Sequence, residues 1–78
     1  MKKVFVDVMA RHTRDGSIEP VSFVWEDGAS YEIDKVIERK KAASLKAGGQ
    51  GIRYTCRVRG KNVYLFLEDN KWFMEGKQ

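Results

Sequence analysis

Arg53, Arg57 and Arg59 follow one another at spacings of four and two residues, and Lys61 comes two residues later. Within the run Ile52 to Lys61 the arginines alternate with Ile52, Tyr54, Cys56 and Val58. Successive side chains of a strand point to opposite faces. The apolar residues therefore pack on a core, and the arginines with Thr55 form the other face. Along a strand these spacings put the arginines on the order of 7 to 13 Å apart at ~3.3 Å per residue. A guanidinium fork grips phosphate or carboxylate oxygens two at a time, so the chemistry this pattern could do is the binding of an extended anion. Arg39, Lys40, Lys41 and Lys46 precede the run on the neighbouring segment. The candidate set is thus Arg39, Lys40, Lys41, Lys46, Arg53, Arg57, Arg59 and Lys61. The competing reading is a solvated strand face whose arginines pair across strands with Glu32, Glu38 or Glu68.

The charge distribution supports a basic surface. The net charge of the 78 residues is +4, but residues 35–61 alone hold nine basic side chains and one acidic one. That stretch nets +8, between a −3 stretch before it and a −1 stretch after it. A basic middle between mildly acidic ends points to one positive patch, whereas a lysine-rich solvated loop is the plainer account.

Other chemistry-bearing residues do not converge. His12 is the single histidine and sits between two arginines near a turn. Cys56, the single cysteine, alternates with core residues and reads as a small buried hydrophobe rather than a nucleophile. One His and one Cys cannot make a structural zinc site, and the eleven carboxylates show no pair spaced for acid–base work. Gly48-Gly49-Gln50 matches the tripeptide that class I peptide-release factors use, with Lys46 and Arg53 nearby, but the flanking residues do not follow that family. The segment also lacks the residues of a phosphate-binding loop. The expectation is a protein that is not an enzyme and takes no metal and no cofactor.

Seventy-eight residues make one domain. Such a chain buries only roughly 60% of its unfolded surface, enough for a small barrel but not for a deep enclosed pocket. The lone cysteine suggests a reducing compartment. Asp7 interrupts the first apolar run and Arg11, His12 and Arg14 follow it, so no secretory leader is expected. No run nears the ~18 apolar residues of a membrane span. These features predict a soluble, cytoplasmic protein.

The elements that must position the arginines are short strands. Lys3 to Arg11 alternates as a first strand, with Val4, Val6 and Val8 on one face. Asp15-Gly16 is a hairpin signal. Ile18 to Trp25 is a second strand, with Pro20 implying an edge or an entry bend. Asp27-Gly28 is a second hairpin signal, and Tyr31 and Ile33 open a third strand. Residues 34–47 read two ways. Ile33, Val36, Ile37, Ala43 and Ala47 could line a helix capped by Asp34 and ended by Gly48-Gly49. The strand reading needs a bulge near Asp34–Lys35. After the arginine strand a tight turn is expected through Gly60, Lys61 and Asn62. Val63 to Leu67 is apolar on both faces, and Trp72 to Glu75 closes the chain. Val4, Val6, Val8, Phe23, Ile33, Val36, Tyr54, Cys56, Val58, Leu65 and Trp72 are the expected core. The predicted fold is all-β, a small antiparallel barrel of five to six strands, with a helix over 34–47 as the alternative.

Pro20 to Val36 and Arg53 to Trp72 together resemble small bacterial domains of unknown function. The matching positions are Phe23, Trp25, Gly28, Tyr31, Ile33, Val36, Tyr54 and Trp72. The resemblance spans roughly residues 20–75 and implies an SH3-like barrel, with residues 36–43 continuing the third strand. It brings no activity and no functional residue with it. Two binding roles stand side by side. One is non-specific nucleic-acid binding on the basic strand face, with Tyr31, Trp25 or Trp72 stacking on bases. The other is a protein–protein adaptor that uses an edge strand or an aromatic groove between loops. The position of Trp25, Tyr31 and Trp72 relative to the basic face separates them.

Overall fold

The two Asp-Gly turns are built alike. In Thr13–Ser17 the Gly16 amide donates to the Thr13 carbonyl at 3.0 Å, and the Thr13 amide donates to the Ser17 carbonyl at 2.9 Å. The Asp15 carboxylate accepts the Ser17 amide at 3.1 Å and also the Thr13 hydroxyl. In Trp25–Ala29 the Gly28 amide donates to the Trp25 carbonyl at 2.9 Å, and the Asp27 carboxylate accepts the Ala29 amide at 2.9 Å. Gly16 and Gly28 have φ of +90° and +87°, a conformation that costs glycine no Cβ clash.

The structure, a computed structural model, describes residues 2–41 and 51–76. Eight strands follow in chain order: β1 (Lys2–Phe5), β2 (Asp7–His12), β3 (Ile18–Val24), β4 (Ser30–Glu32), β5 (Lys35–Lys41), β6 (Ile52–Val58), β7 (Lys61–Glu68) and β8 (Lys71–Gly76). They form one sheet in the order β1-β8-β7-β6-β5 and another in the order β2-β3-β4, and every pairing is antiparallel. Two bent strands link the sheets. β1 runs into β2 through Val6, whose amide donates to the Trp72 carbonyl at 3.1 Å. β4 runs into β5 through Ile33 and Asp34, whose amides donate to Val21 of β3 at 2.9 Å and to Arg57 of β6 at 2.8 Å. The result is six runs of strand wound as a meander around one core, in line with the expected all-β barrel. Among the described residues there is no helix, so the helical alternative fails over 34–41. Residues 42–47 lie outside the described residues.

Two local expectations are corrected. The bulge lies between Val36 and Glu38, not at Asp34–Lys35. The corner at Ile33–Asp34 already changes the partner strand, so no extra residue is needed there. The extra residue is Ile37. It keeps Glu38 on the outer face, opposite Thr55, and turns Arg39 toward Tyr54. The β6–β7 turn is Arg59-Gly60 alone, with φ of +50° and +78°, and Val58 pairs with Lys61. Both central residues at positive φ make the two-residue hairpin that suits strand twist, so Lys61 and Asn62 already belong to β7. Asp69-Asn70, at +52° and +64°, repeats that turn between β7 and β8. Pro20 behaves as expected. β3 pairs with β2 along its length but with β4 only from Ser22, so Pro20 sits on a locally unpaired side.

All eleven expected core residues pack in one cluster, with Tyr54, Cys56 and Leu65 wholly enclosed. Two further aromatics are buried on the outer side of the large sheet. Phe66 and Phe73 stack with centroids 5.1 Å apart, Phe5 meets Phe73 edge-on at 5.8 Å, and the Lys3 ammonium lies 4.6 Å from the Phe73 centroid. Phe66 falls in the run that is apolar on both faces.

Three measurements check this packing. Val58→Ala removes buried methyl groups and is expected to cost roughly 1 to 3 kcal/mol in urea unfolding. A loss within a few tenths would put that face in solvent. At Gly51 an added Cβ would lie 2.3 Å from Glu68 Cγ and 2.7 Å from the Leu67 carbonyl oxygen. Side chain can swing but backbone cannot, so Gly51→Ala is expected to lower the urea midpoint, by a loss of ~1 kcal/mol or more of unfolding free energy. Burial pushes the Cys56 thiol up from 9.0 to about 11. The unfolded chain therefore ionises first, and stability is full below pH 9 and falls as pH rises toward 11. At neutral pH a disulfide reagent should label Cys56 only as fast as the chain opens.

Candidate functional site

β6 positions the site because its inward side chains are fixed by the core. Tyr54, Cys56 and Val58 are buried, so Arg53, Thr55 and Arg57 face outward. β5 contributes Lys35, Glu38 and Lys40 to the same outer face, and β7 contributes Asn62, Tyr64 and Phe66. The register sets like charges directly opposite each other: Lys35 faces Arg57, and Lys40 faces Arg53. Directly opposed like charges destabilise a strand pair. Glu38 lies between the two pairs, and its carboxylate is 3.8 Å from Arg53 Nη2. That separation is an ion pair without a hydrogen bond.

Arg53 is incompletely satisfied. Its Nε is enclosed and has no hydrogen-bond partner among the described residues. Its guanidinium carbon lies 4.7 Å from the centroid of Tyr64, a ring that is 51% exposed in the middle of the sheet face. Arg57 is exposed and donates from Nη1 to the Gly60 carbonyl at 3.1 Å. Among the described residues, the outer face of β5, β6 and β7 thus offers four cations and one open aromatic ring. Of the carboxylates expected to neutralise it, Glu38 does so in part, Glu68 pairs instead with Lys3 at 3.4 Å, and Glu32 lies on β4 in the other sheet.

The eight candidate residues divide by position. Lys40, Arg53 and Arg57 share the outer face, and the structure adds Lys35 to them. Arg39 and Lys41 oppose Tyr54 and Ile52 on the inward row, and Arg39 Nε reaches the Tyr54 hydroxyl at 3.4 Å. Arg59 does not share the strand face with Arg53 and Arg57, because the positive-φ turn carries it to the end of the barrel. It and Lys61 border a cleft of about 340 Å³ lined by Phe23, Trp25, Tyr31, Val58, Val63 and Met74. Lys46 and Gly48-Gly49-Gln50 lie outside the described residues.

The aromatics expected to stack are placed away from the basic face. Trp25 and Tyr31 line the cleft, and Trp72 turns inward against Tyr54, 5.3 Å between centroids. The aromatic on the basic face is Tyr64, which the sequence reading missed. Its signal was its place, second in an apolar run directly after a basic strand. Lys35 was missed because only register brings it opposite Arg57. His12 is exposed at the end of β2. Among the described residues, no three His, Cys, Asp or Glu side chains group to hold a metal ion. Nor is any helix there long and apolar enough to cross a membrane.

No family model matches the chain, and no curated protein or solved structure matches it significantly, so the resemblance of residues 20–75 to small bacterial domains rests on residue spacing alone.

Proposed function

We propose that the protein binds single-stranded nucleic acid across the outer face of β5, β6 and β7. Lys35, Lys40, Arg53 and Arg57 hold phosphates, and Tyr64 offers a stacking surface to a base. The observation that carries this reading is the pair of directly opposed like charges, Lys35 with Arg57 and Lys40 with Arg53, beside a half-exposed tyrosine. A phosphate between two opposed cations converts their repulsion into two attractive contacts. A ring on an open sheet face accepts any base, because every base has a π-face. The face has no set of side chains arrayed for reading base edges, so sequence preference is weak. Trp25, Tyr31 and Trp72 are grouped away from the basic face, which by itself favours the adaptor reading; Tyr64 takes their place as the stacking ring, and the adaptor reading finds less support at the strand edge. β5 ends its sheet, but its side chains are lysines and an arginine beside one glutamate and two apolar residues, the kind of edge that resists strand addition. Cys56, a lone buried thiol, fits a cytoplasmic setting.

The test is fluorescence anisotropy of a labelled single strand of ~15 nucleotides at several salt concentrations. With three to five phosphate contacts, log K is expected to fall against log salt with a slope of about −2 to −4. Arg57→Ala should weaken every sequence alike and flatten the slope by about 0.7. Tyr64→Ala should cost about 1 to 3 kcal/mol with the slope unchanged. A dissociation constant weaker than about 100 μM at low salt would remove the proposal, since even non-specific binders do better. Full binding by a Lys40/Arg53/Arg57 triple alanine would move the site off this face.

A further inference from the structure

The barrel wall has a gap at one end. β8 pairs with β7 only from Phe66 to Glu68, then leaves it to pair with β1, where Met74 faces Val4. The first half of β7 has no β8 partner in register, and Val63 and Met74 are left as facing walls of the cleft. The far wall comes from the second Asp-Gly turn and the strands it joins, with Trp25, Tyr31 and Phe23. Tyr31 and Phe23 stack with centroids 5.4 Å apart and an interplanar angle of 24°.

Arg59 completes that stack. Its guanidinium carbon lies 4.7 Å from the Tyr31 centroid. It does so from φ +50°, in a turn position where asparagine or glycine sits without strain. An arginine held in a backbone conformation that disfavours it, with its planar head on an aromatic ring, is explained by the side chain and not by the turn. Lys61 opposes Val58 on the same inward row and adds a second cation at the opening. Among the described residues no carboxylate lines the cleft. The walls are therefore flat and apolar, the opening is cationic, and a space of about 340 Å³ is the size of one ring-bearing group and not of a chain.

We propose that this cleft is a binding site for a single nucleotide unit, with the base against Trp25 and Tyr31 and the phosphate on Arg59 and Lys61. Flat rings favour a heteroaromatic base by stacking. Paired cations at the mouth select a group that carries its negative charge next to the ring. An aliphatic peptide side chain would leave both features unused. The inference extends the nucleic-acid reading. Arg57 holds the Gly60 carbonyl, so the outer-face cations run directly into the turn that bears Arg59. A strand held on the outer face can turn one nucleotide into the mouth.

Trp25 and Trp72 give two indole N–H signals in nitrogen-15 NMR, which Trp25→Phe assigns. The probe is adenosine 5′-monophosphate, with adenosine and ribose 5-phosphate as half-ligands. The monophosphate should move the Trp25 signal and leave Trp72 in place. Each half-ligand should bind about tenfold more weakly or worse. Arg59→Asn, which suits the turn and should keep or raise the urea midpoint, should weaken the monophosphate about tenfold. Lys71→Ala, at the β7–β8 turn and so at the other end of β7 from Arg59, should leave it unchanged. An unmoved Trp25 at about 10 mM monophosphate overturns the site, as does wild-type binding by Arg59→Asn. Ribose 5-phosphate binding as well as the monophosphate overturns the base pocket. So does a hydrophobic acidic peptide that moves Trp25 where the monophosphate does not. The mononucleotide does not need the outer face, so failure of long strands to bind leaves this result standing, and failure here leaves the outer face standing.

Discussion

The Tyr54 hydroxyl ties the two sheets together. Tyr54 belongs to β6 in the large sheet, is wholly buried, and donates at 2.5 Å to the Ile18 carbonyl at the start of β3 in the small one. Arg39 Nε in turn donates to the Tyr54 hydroxyl oxygen at 3.4 Å. A buried hydroxyl left without a partner costs about 1 to 3 kcal/mol, so β6 cannot slip by one residue without exposing that debt and turning Cys56 and Val58 outward as well. The period of two then leaves Arg53 and Arg57 no face but the outer one. The basic surface follows from where the tyrosine must go.

This is why the arginine row was legible in the sequence. Ile52, Tyr54, Cys56 and Val58 alternate with polar residues, and alternation is a property of one strand. Pairing is a property of two. Nothing in residues 35–41 alone says that Lys35 will meet Arg57, because the answer depends on the bulge at Ile37. Arg59 misled for a related reason. Gly60 marked a turn, but a two-residue hairpin needs positive φ at both central positions, and arginine is not the residue that advertises it. Phe66 shows the reverse case. Its run suggested burial on both faces, yet neighbouring Tyr64 on the same outward row stays half exposed, because partners and not hydropathy decide which outward ring is covered. The chain showed the cleft only as a candidate aromatic groove between loops, with Trp25 and Tyr31 on either side of Asp27-Gly28, and gave no sign of its walls at Val63 and Met74. The cleft exists because β8 exchanges β7 for β1 part-way along, and that is a matter of topology.

The sequence breaks local rules at a few places, and they adjoin. Opposed like charges in a sheet cost roughly 0.2 to 1 kcal/mol a pair. Salt relieves this only in part, since opposed side chains sit ~5 Å apart at Cβ and the screening length at physiological ionic strength is about 8 Å. Arg59 adds backbone strain of roughly 1 to 2 kcal/mol. One well-buried valine such as Val58 outweighs either term, so the core can carry them. Rules kept in the core and broken along one line of the surface mark the line as the part shaped by something other than folding.

That line has a direction. It starts at Lys40 and Arg53, passes Lys35 and Arg57 about 13 Å further along β6, and ends at the turn with Arg59 over Tyr31. Its two ends differ in kind. On the open face the cations are spread over a flat sheet, which suits a repeated charge and discriminates little. At the cleft they stand over apolar rings in a confined space, which suits one unit and discriminates by shape. Exposed charge acts over a screening length and lets a strand slide, whereas a ring in a cleft is either in or out. On the proposed reading, a face of the first kind that leads into a pocket of the second would let a protein of this size hold a polymer loosely and one of its units in a fixed place.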